Sequence, residues 1–268
     1  MKTLIIVLIV LLFLAWVFRR GHFLDFYTDL PNLQIKLGRV RRFADIQHVL
    51  YINLAKRTDR KTLMETELQR VGWHAFERID AVHYKPGAIG CALSHIKALE
   101  YAKSHKWPHV LICEDDVHFE RSPTEVQRQL DAFFSRHTDW DAVLLGCTVL
   151  EGKHVDAACV RVRKAYTTHC YLVRQEYYDV LIHNFREVPR RFTEKQHDKP
   201  DPEDLLDVVW HSLQQRDRWL MPFPVVATQR PDFSDIYEAP VDYSGFVNAG
   251  VGNIAPSSVQ DELQRVGS

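Results

Sequence analysis

The sequence predicts an α/β fold with a mostly parallel, Rossmann-like sheet and helices on both of its faces. From residue 48 to about residue 150, short apolar runs alternate with segments of helical period, as is typical of parallel sheets. The 268 residues, 46% hydrophobic and 26% charged, are enough for one large globular domain. A separate apolar run at the N-terminus predicts an additional membrane-anchor helix.

The N-terminal apolar run covers residues 4–18 and is flanked by Lys2 on one side and by Arg19 and Arg20 on the other. Its length lies between a signal-peptide core of about 7 to 15 residues and a spanning helix of about 17 to 25. The residues that follow are bulky and basic, unlike a cleavage site, so we expect an uncleaved single-pass anchor. The positive-inside rule favours a cytosolic body, and the secretory lumen is the alternative.

These composition changes divide the chain into four predicted parts. The parts are a transmembrane signal-anchor over residues 1–20, a stem over 21–46, a catalytic domain over 47–240 and a loop-rich C-terminal tail over 241–268. The net charge is −1, and no block of Lys and Arg suited to a phosphate backbone is present, so we exclude nucleic acid as a partner.

The cysteines are odd in number and are expected to be small buried hydrophobic residues. They are Cys91, Cys113, Cys147, Cys159 and Cys170. Because no pair has C-x-x-C spacing, we predict neither a zinc site nor a redox pair.

The elements of the catalytic domain follow one another as strand and helix. Predicted strands cover 48–54, 73–80, 109–113 and 140–147, followed by a more mixed strand region over 159–173. Predicted helices begin at Thr58 or Asp59 and end at Gly72, cover 89–105, begin at Ser122 and Pro123, and lie near 175–185 and 203–217.

Three acidic residues, Glu114, Asp115 and Asp116, directly follow the third predicted strand. Ligands bind at the carboxyl ends of strands in open α/β sheets, and clustered carboxylates repel one another unless a cation lies among them. If the strand continues, Glu114 and Asp116 point to one side and Asp115 to the other. Carboxylate oxygens suit Mg²⁺ or Mn²⁺ together with a substrate diphosphate. A solvated acidic turn is the alternative interpretation.

Other candidate ligand groups lie at the ends of the first two predicted strands. Asn53 ends the first strand and is followed by Arg57 and Arg60, which are donors suited to a diphosphate. The helix that begins near residue 90 has free backbone N–H groups in its first turn, with Ser94 and His95 close by. The alternative is that the two arginines are solvated and that His95 is packed and hydrogen-bonded in the core.

The order of these motifs resembles glycosyltransferase family 25, which includes lipooligosaccharide and procollagen galactosyltransferases. The matching segments are YINLAKRTDR, RIDAV, GAIGCALSHIKALEYA, VLICEDDVHFE, TTHCYLVRQEYYDVL, PEDLLD and QRPDFSDI, in family order from about residue 48 to residue 236. The resemblance implies a GT-A-like fold, a UDP-sugar donor carrying galactose or glucose, and assistance by Mn²⁺ or Mg²⁺.

The resemblance also implies roles for individual residues. It places the metal and the diphosphate at Glu114, Asp115 and Asp116, and the nucleotide near Asn53, Arg57, Arg60 and Asp80, with Ser94 and His95 in the motif after the second strand. Asp204 matches the Pro-x-Asp element best, with Asp207 as the alternative, and Asp235 falls near the acceptor or the metal. The polar insertion RRFTEKQHDKPD precedes the Pro-x-Asp element and departs from the family pattern.

The predicted function is a membrane-anchored, metal-assisted, inverting transfer of a hexose from a UDP-sugar to a hydroxyl of a glycan or protein acceptor. Asp204 is the first choice of general base and Asp235 the second; the alternative for Asp204 is a carboxylate that stabilises a helix start. Two other functions are considered: an inactive membrane-tethered sugar-nucleotide-binding module and a metal-dependent nucleotide-sugar hydrolase. The absence of a G-x-x-x-x-G-K-[ST] loop argues against a phosphotransferase.

Overall fold

A computed structural model of the chain describes residues 39–195, 201–234 and 239–241. The predicted anchor over 1–20, most of the predicted stem, Asp235 and the tail after residue 241 lie outside the described residues. Within the part that is described, no helix is both long enough and apolar enough to cross a bilayer. The anchor therefore stays a prediction from the sequence.

The described residues form an α/β fold with strands β1 to β10 and helices α1 to α7. The strands are β1 Val49–Asn53, β2 Glu77–Asp80, β3 His109–Glu114, β4 Val117–His118, β5 Ala142–Asp156, β6 Cys159–Arg174, β7 Trp219–Pro222, β8 Thr228–Gln229, β9 Asp232–Ser234 and β10 Ala239–Val241. The helices are α1 Thr58–Val71, α2 Gly87–Ser104, α3 Pro123–Phe134, α4 Tyr178–Phe185, α5 Glu187–Lys195, α6 Leu206–Val209 and α7 His211–Arg216. Short 3₁₀ helices cover Phe43–Asp45, Gln175–Tyr177 and Pro202–Asp204.

The central sheet has six strands in the order β2-β1-β3-β6-β5-β7. Strand β1 is parallel to both β2 and β3, and β5 is parallel to β7. Strand β6 is antiparallel to β3, β5 and β7. The predicted mostly parallel sheet is therefore confirmed, with β6 as its antiparallel member.

Hydrophobic side chains from alternate positions of the strands pack into two cores, one on each face of the sheet. On β3, Val110 and Ile112 belong to one core and Leu111 and Cys113 to the other, as expected when side chains alternate along a strand. Helices α2, α4 and α7 contribute to the first core, and α1 and α3 to the second. The helices thus cover both faces, as the sequence predicted.

Two helix ends have the local chemistry that their sequences predict. Gly72 follows α1 with a φ of 115°, a left-handed conformation that glycine adopts without a steric penalty. Ser122 and Glu125 form a reciprocal capping box at the start of α3, where Pro123 is the first helical residue. The start of α1 differs from the prediction, because its N-cap residue is Arg57 and makes no side-chain cap.

The packed body begins before the predicted boundary at residue 47. Val40, Phe43 and Ile46 are buried and belong to the core that also contains α1 and α3. Residues 40–46, which the sequence assigned to the stem, therefore pack on the body because their apolar side chains fill this core.

The five cysteines are unbridged, and all except Cys91 are buried. The expected role as small buried hydrophobic residues therefore holds for the four buried ones. Cys91 is only partly buried and differs from the others in its neighbours, which are described with the site.

Candidate active site

The acidic triplet lies where β3 ends, at the edge of the sheet formed by the carboxyl ends of the parallel strands. Strand β3 stops at Glu114, and Asp115 and Asp116 form a turn before β4. The expected alternation of side chains is therefore wrong after Glu114, because a turn does not keep the two-residue repeat of a strand. As a result Asp115 and Asp116 approach the same arginine, and Glu114 points to a different group of residues.

Asp115 is bound by the two residues that the sequence placed on the nucleotide side. The Nδ2 atom of Asn53 donates to Asp115 Oδ2 at 2.7 Å, and Arg60 Nη1 donates to Oδ1 at 3.0 Å. Burial still raises the pKa of Asp115, and Arg60 and Asn53 partly offset that effect. Both carboxylate oxygens of Asp115 thus already accept hydrogen bonds from the protein.

Asp116 is the least neutralised carboxylate of the triplet. Among the described residues its hydrogen bonds are long, 3.4 and 3.5 Å from Gln229 Nε2, and Arg60 Nη1 lies 3.9 Å away. Burial, together with the negative charges of Glu114 and Asp115, raises the pKa of Asp116 to about 7. Such a carboxylate favours a proton or a cation at its oxygens.

Glu114 points toward α2 and β6. Thr168 Oγ1 donates to Glu114 Oε1 at 2.6 Å, and His95 Nε2 lies 3.4 Å from the same oxygen. Burial opposes ionisation of Glu114, but the interactions with His95 and Thr168 outweigh it and lower the pKa of the carboxyl. Glu114 is therefore separated in its contacts from the other two acidic residues.

Arg57 and Arg60 bridge the β1–α1 connection to the start of β9. Arg57 Nη2 and Arg60 Nε both donate to Asp232 Oδ2, at 2.6 and 2.7 Å. Arg57 also binds Asp59 at 2.8 Å. Arg60 contacts the acidic turn directly, whereas the bonds of Arg57 go to Asp59 and Asp232.

Ser94 and Asp80 make contacts that fix the local backbone. Ser94 is buried; its hydroxyl donates to Gly90 O at 2.6 Å and accepts from Val82 N–H at 2.8 Å. Asp80 ends β2 opposite Asn53 in the register, and Arg78 Nη1 donates to its side chain at 3.1 Å. These bonds hold the segment after β2 against α2, and they make Ser94 a positioning residue.

The two candidate bases on the α5–α6 segment have different surroundings. Asp204 has a buried carboxylate, which Lys195 Nζ contacts at 2.7 Å and Arg191 Nη1 at 3.7 Å. Asp207 Oδ2 accepts from Thr167 N–H at 3.0 Å, and burial together with the charge of Glu114 raises the pKa of Asp207. The structure thus places Asp207 beside the acidic triplet and Asp204 in an ion-pair cluster with α5.

Two adjacent residues of β6 donate hydrogen bonds to the carboxylates of Asp207 and Glu114, which are far apart in the sequence. Thr167 binds Asp207 through its backbone N–H, and Thr168 binds Glu114 through its hydroxyl. Thr167 has a φ of 73°, a left-handed conformation that is uncommon for a residue other than glycine. Such departures from ordinary backbone geometry often mark functional sites.

Several residues of the site were missed from the sequence. Thr168 and Gln229 lie in segments that match the family pattern, but that pattern did not single them out. A hydroxyl or an amide in a strand acquires its role only through strand pairing: β8, which carries Gln229, pairs with β4 next to Asp116. Cys91 did leave a signal. It lies four residues before His95 on one helix, which puts both on the same face, and a search for C-x-x-C spacing does not contain this Cys–His pair.

Cys91, His95 and Glu114 form a group with the composition of a metal site. Their candidate ligand atoms all lie within 4.8 Å of one another. Burial and the nearby charges of Glu114, Asp207 and Asp116 raise the pKa of the Cys91 thiol well above its usual range.

The fold and the site define an α/β protein whose carboxylates collect at the carboxyl edge of a mostly parallel sheet, where such proteins bind their ligands. Residues 86–193 match the model of glycosyltransferase family 25, described as an LPS biosynthesis protein family. This match confirms the resemblance over a segment that contains α2, the acidic triplet and β6, and it supports glycosyl transfer as the activity. No curated protein matches the chain.

The chain has weak similarity to solved structures, at low sequence identity. They include A197 from STIV (TM-score 0.40, 12% identity, 73% of this chain and 93% of that one) and mannose-1-phosphate geranyltransferase from Thermus thermophilus (0.37, 11%, 66% and 73%). A glycosyltransferase involved in the glycosylation of the major capsid of PBCV-1 is also similar (0.31, 10%, 66% and 93%).

Proposed function

We propose that the chain transfers a hexose, galactose or glucose, from a UDP-sugar to a hydroxyl of a glycan or protein acceptor, with Mn²⁺ or Mg²⁺ bound and with inversion. The observation that carries the proposal is the pair Asp115 and Asp116 at the end of β3, in contact with Arg60 and beside Asn53. This group lies at the ligand-binding edge of the sheet, and both carboxylates are inside the family 25 match.

The residues at this edge fit a hard divalent cation. Three carboxylates adjoin one another, and Arg60 is the cation that the structure places between Asp115 and Asp116. Asp116 retains the most capacity for a further ligand, since its hydrogen bonds are long. When bound, Mn²⁺ or Mg²⁺ supplies Lewis-acid neutralisation of the leaving diphosphate, worth several kcal/mol. Asp116 would hold the ion, with Asp115 as the neighbouring carboxylate.

The residues around the triplet would orient the donor. Arg60 presents a guanidinium next to the acidic turn, and such a group binds phosphate oxygens through paired N–H donors. Asn53 fixes Asp115 through its amide, so the carboxylate keeps one orientation. Asp80 lies next to Asn53 at the end of β2, where it would accept hydrogen bonds from the nucleoside.

We assign the general base to Asp207 in preference to Asp204. A base in an inverting transfer takes the proton of the acceptor hydroxyl while the diphosphate leaves. The Asp204 carboxylate is already engaged by Lys195 Nζ at 2.7 Å and faces Arg191 Nη1 at 3.7 Å, so its contacts are those of a structural ion-pair cluster. Asp207 has a raised pKa and lies beside Glu114, so its proton affinity suits the role. Asp235 lies outside the described residues and stays the other candidate.

The test is UDP release by the purified full-length chain with a panel of UDP-sugars, with and without Mn²⁺, and with and without glycan acceptors. We expect release that needs both the ion and an acceptor. Asp116→Asn removes one negative charge and should lose ion-dependent release with an unchanged circular dichroism spectrum. Asp139→Asn, on the exposed α3–β5 connection, is the matched control for the loss of an aspartate.

Each other outcome supports a different function. Ion-dependent release that is independent of acceptor would favour the nucleotide-sugar hydrolase. If the chain binds a UDP-sugar but releases no UDP with any of the acceptors, the inactive binding module would be favoured. Full ion-dependent turnover by Asp116→Asn would contradict the assignment of the ion to Asp116. The membrane anchor is a proposal from the sequence and is independent of this assay.

A further inference from the structure

Three side chains of metal-ligand type converge between α2 and the end of β3. Cys91 and His95 are one helical turn apart on α2, and Glu114 is the last residue of β3. Their ligand atoms lie within 4.8 Å of one another. The three residues come from two elements that pack together in the first core, so the group is held by the fold.

The imidazole of His95 has an atom that the protein does not satisfy. His95 is 1% exposed, and its Nε2 makes no hydrogen bond of good geometry among the described residues, although Glu114 Oε1 lies 3.4 Å away. The other ring nitrogen, Nδ1, lies 3.0 Å from Tyr171 Oη. Leaving a buried polar atom without a well-formed hydrogen bond is unfavourable. An occupant between Nε2 and its neighbours would remove this deficit.

We propose that Cys91, His95 and Glu114 bind a zinc ion at a site distinct from the one at Asp116. The separation of His95 Nε2 and Glu114 Oε1 is 3.4 Å. Tetrahedral Zn²⁺ with bonds of about 2.0 to 2.2 Å to nitrogen and oxygen places these two ligands about 3.4 Å apart. The pair is thus at the spacing of two ligands of one ion, and the Cys91 sulfur lies within 4.8 Å of both ligand atoms.

The chemistry of the three ligands selects zinc over the ions that suit the acidic turn. A thiolate and an imidazole are soft or borderline ligands that favour Zn²⁺, whereas Mg²⁺ and Mn²⁺ prefer oxygen. A thiolate and a carboxylate together carry two negative charges, which balance those of the ion. Three protein ligands leave one coordination position for water or a substrate oxygen. Glu114 is hence reassigned from the Mn²⁺ or Mg²⁺ set to the zinc site.

Neighbouring residues supply the outer contacts that metal ligands usually have. Tyr171 Oη lies 3.0 Å from His95 Nδ1; in the tautomer that carries the proton on Nδ1, Tyr171 accepts this hydrogen bond and Nε2 is left as the ligand atom. Thr168 donates to Glu114. Such contacts orient the residues that coordinate the metal directly, and they fix the tautomer of a coordinating histidine. The competing occupant is a proton on Nε2, which would make His95 and Glu114 an ion pair.

The test measures metal content and does not depend on activity. The full-length chain, expressed with added zinc and dialysed against metal-free buffer, is analysed by plasma mass spectrometry, and we expect stoichiometric zinc. Replacement by Co²⁺ should give the near-ultraviolet charge-transfer absorption of a cobalt–thiolate bond. Cys91→Ser and His95→Gln should each weaken zinc binding by more than the roughly 10- to 100-fold that is typical of outer contacts.

Cys159→Ala is the matched control, because Cys159 is buried and lies outside the group; it should retain zinc and the cobalt spectrum. Absence of zinc, or a cobalt spectrum without thiolate absorption, in the unmodified chain would overturn the proposal and favour the ion pair. Zinc that Cys91→Ser binds as tightly as the unmodified chain would be an adventitious ion only. If a variant fails to fold, the cobalt spectrum of the unmodified chain still shows whether a thiolate coordinates the metal.

The zinc proposal and the proposed transferase function can fail separately. Asp116→Asn should lose ion-dependent UDP release and keep its zinc. A chain without zinc that still releases UDP with Mn²⁺ and an acceptor would contradict only the zinc site.

Discussion

Asp207 and Asp204 are close in sequence, but their carboxylates have opposite surroundings. Asp204 is held by Lys195 and Arg191, whereas Asp207 accepts a backbone N–H and lies beside Glu114. The family pattern alone favoured Asp204, because it places the acid two residues after a proline. The side-chain contacts favour Asp207, and they depend on the packing of α5, which the sequence did not predict.

We predict that Asp207→Asn lowers hexose transfer by about 10² to 10⁴-fold, the usual contribution of a general base. The substitution keeps the shape of the side chain, so affinity for the UDP-sugar should be unchanged. Acceptor-dependent UDP release and calorimetric titration of the donor measure the two effects. Equal transfer by Asp207→Asn and the unmodified chain would exclude Asp207 as the base.

We predict that Asp204→Asn acts on stability. Removing the charge leaves Lys195 and Arg191 without their buried partner, which should lower the free energy of unfolding by about 1 to 3 kcal/mol. Lys195 is itself 37% exposed, so solvent limits the loss. Urea unfolding at neutral pH measures it. An unchanged midpoint together with lost transfer would return the role of base to Asp204.

Among the elements, those with strong local signals agree best with the sequence. The apolar spacing and end residues of α1 and α3 depend on neighbours a few positions away, so their ends were predicted closely. Strands β5 and β6 form a long antiparallel pair with several irregular register steps. The strand region predicted over 159–173 agrees with β6, whereas β5 continues to Asp156, well beyond the run predicted over 140–147. Pairing between distant segments fixes register, which no local pattern contains. Helix α5, rich in charged residues, was not predicted at all.

Gly146 on β5 leaves room for two other elements. A Cβ at this position would overlap His169 Nε2 and Ala227 O, one on β6 and the other on the backbone that leads into β8. We predict that Gly146→Ala lowers the free energy of unfolding by at least about 1 to 3 kcal/mol, the usual effect of overpacking. Thermal unfolding followed by circular dichroism measures the change.

Gly152→Ala, farther along the same strand, is the control for this effect. Its nearest contact is the Val160 Cγ1 methyl at 2.9 Å, which belongs to a side chain and can rotate. The loss of stability should therefore be smaller than for Gly146→Ala. A larger loss for Gly152→Ala would mean that the close approach around Gly146 does not limit packing.

At the scale of the whole molecule, buried histidines make stability depend on pH. Burial lowers the pKa of His109, His169 and His211 to about 4, below the usual value of about 6.5. The unfolded chain therefore takes up protons first, and the stability present above a pH of about 6.5 is lost as the pH falls toward about 4. Asp116 acts in the opposite direction, because its pKa of about 7 makes the folded state bind a proton first.

His211 allows one such contribution to be isolated. It is buried, and its Nε2 lies 3.1 Å from Ala165 O. Between about pH 7.5 and about pH 5 the unmodified chain should lose about 2 kcal/mol more stability than His211→Gln, since glutamine has no proton to gain in this range. Urea unfolding at both pH values gives the difference. A pH dependence that His211→Gln leaves unchanged would contradict a lowered pKa at this residue.

The predicted anchor can be tested on the same chain. The packed body begins at Val40, so deletion of residues 1–38 should leave the fold intact. We predict that the full-length chain stays with the membrane fraction after an alkaline wash and that the shortened chain is released. Release of the full-length chain by the wash would exclude a spanning anchor.

The hydrogen bonds made by Thr167 and Thr168 have a consequence for the distance between the carboxylates of Asp207 and Glu114. Asp207 and Glu114 are bonded to consecutive residues of one strand, so a shift of β6 would move both carboxylates in concert. Their separation is therefore set locally, whatever the length of the chain that connects them.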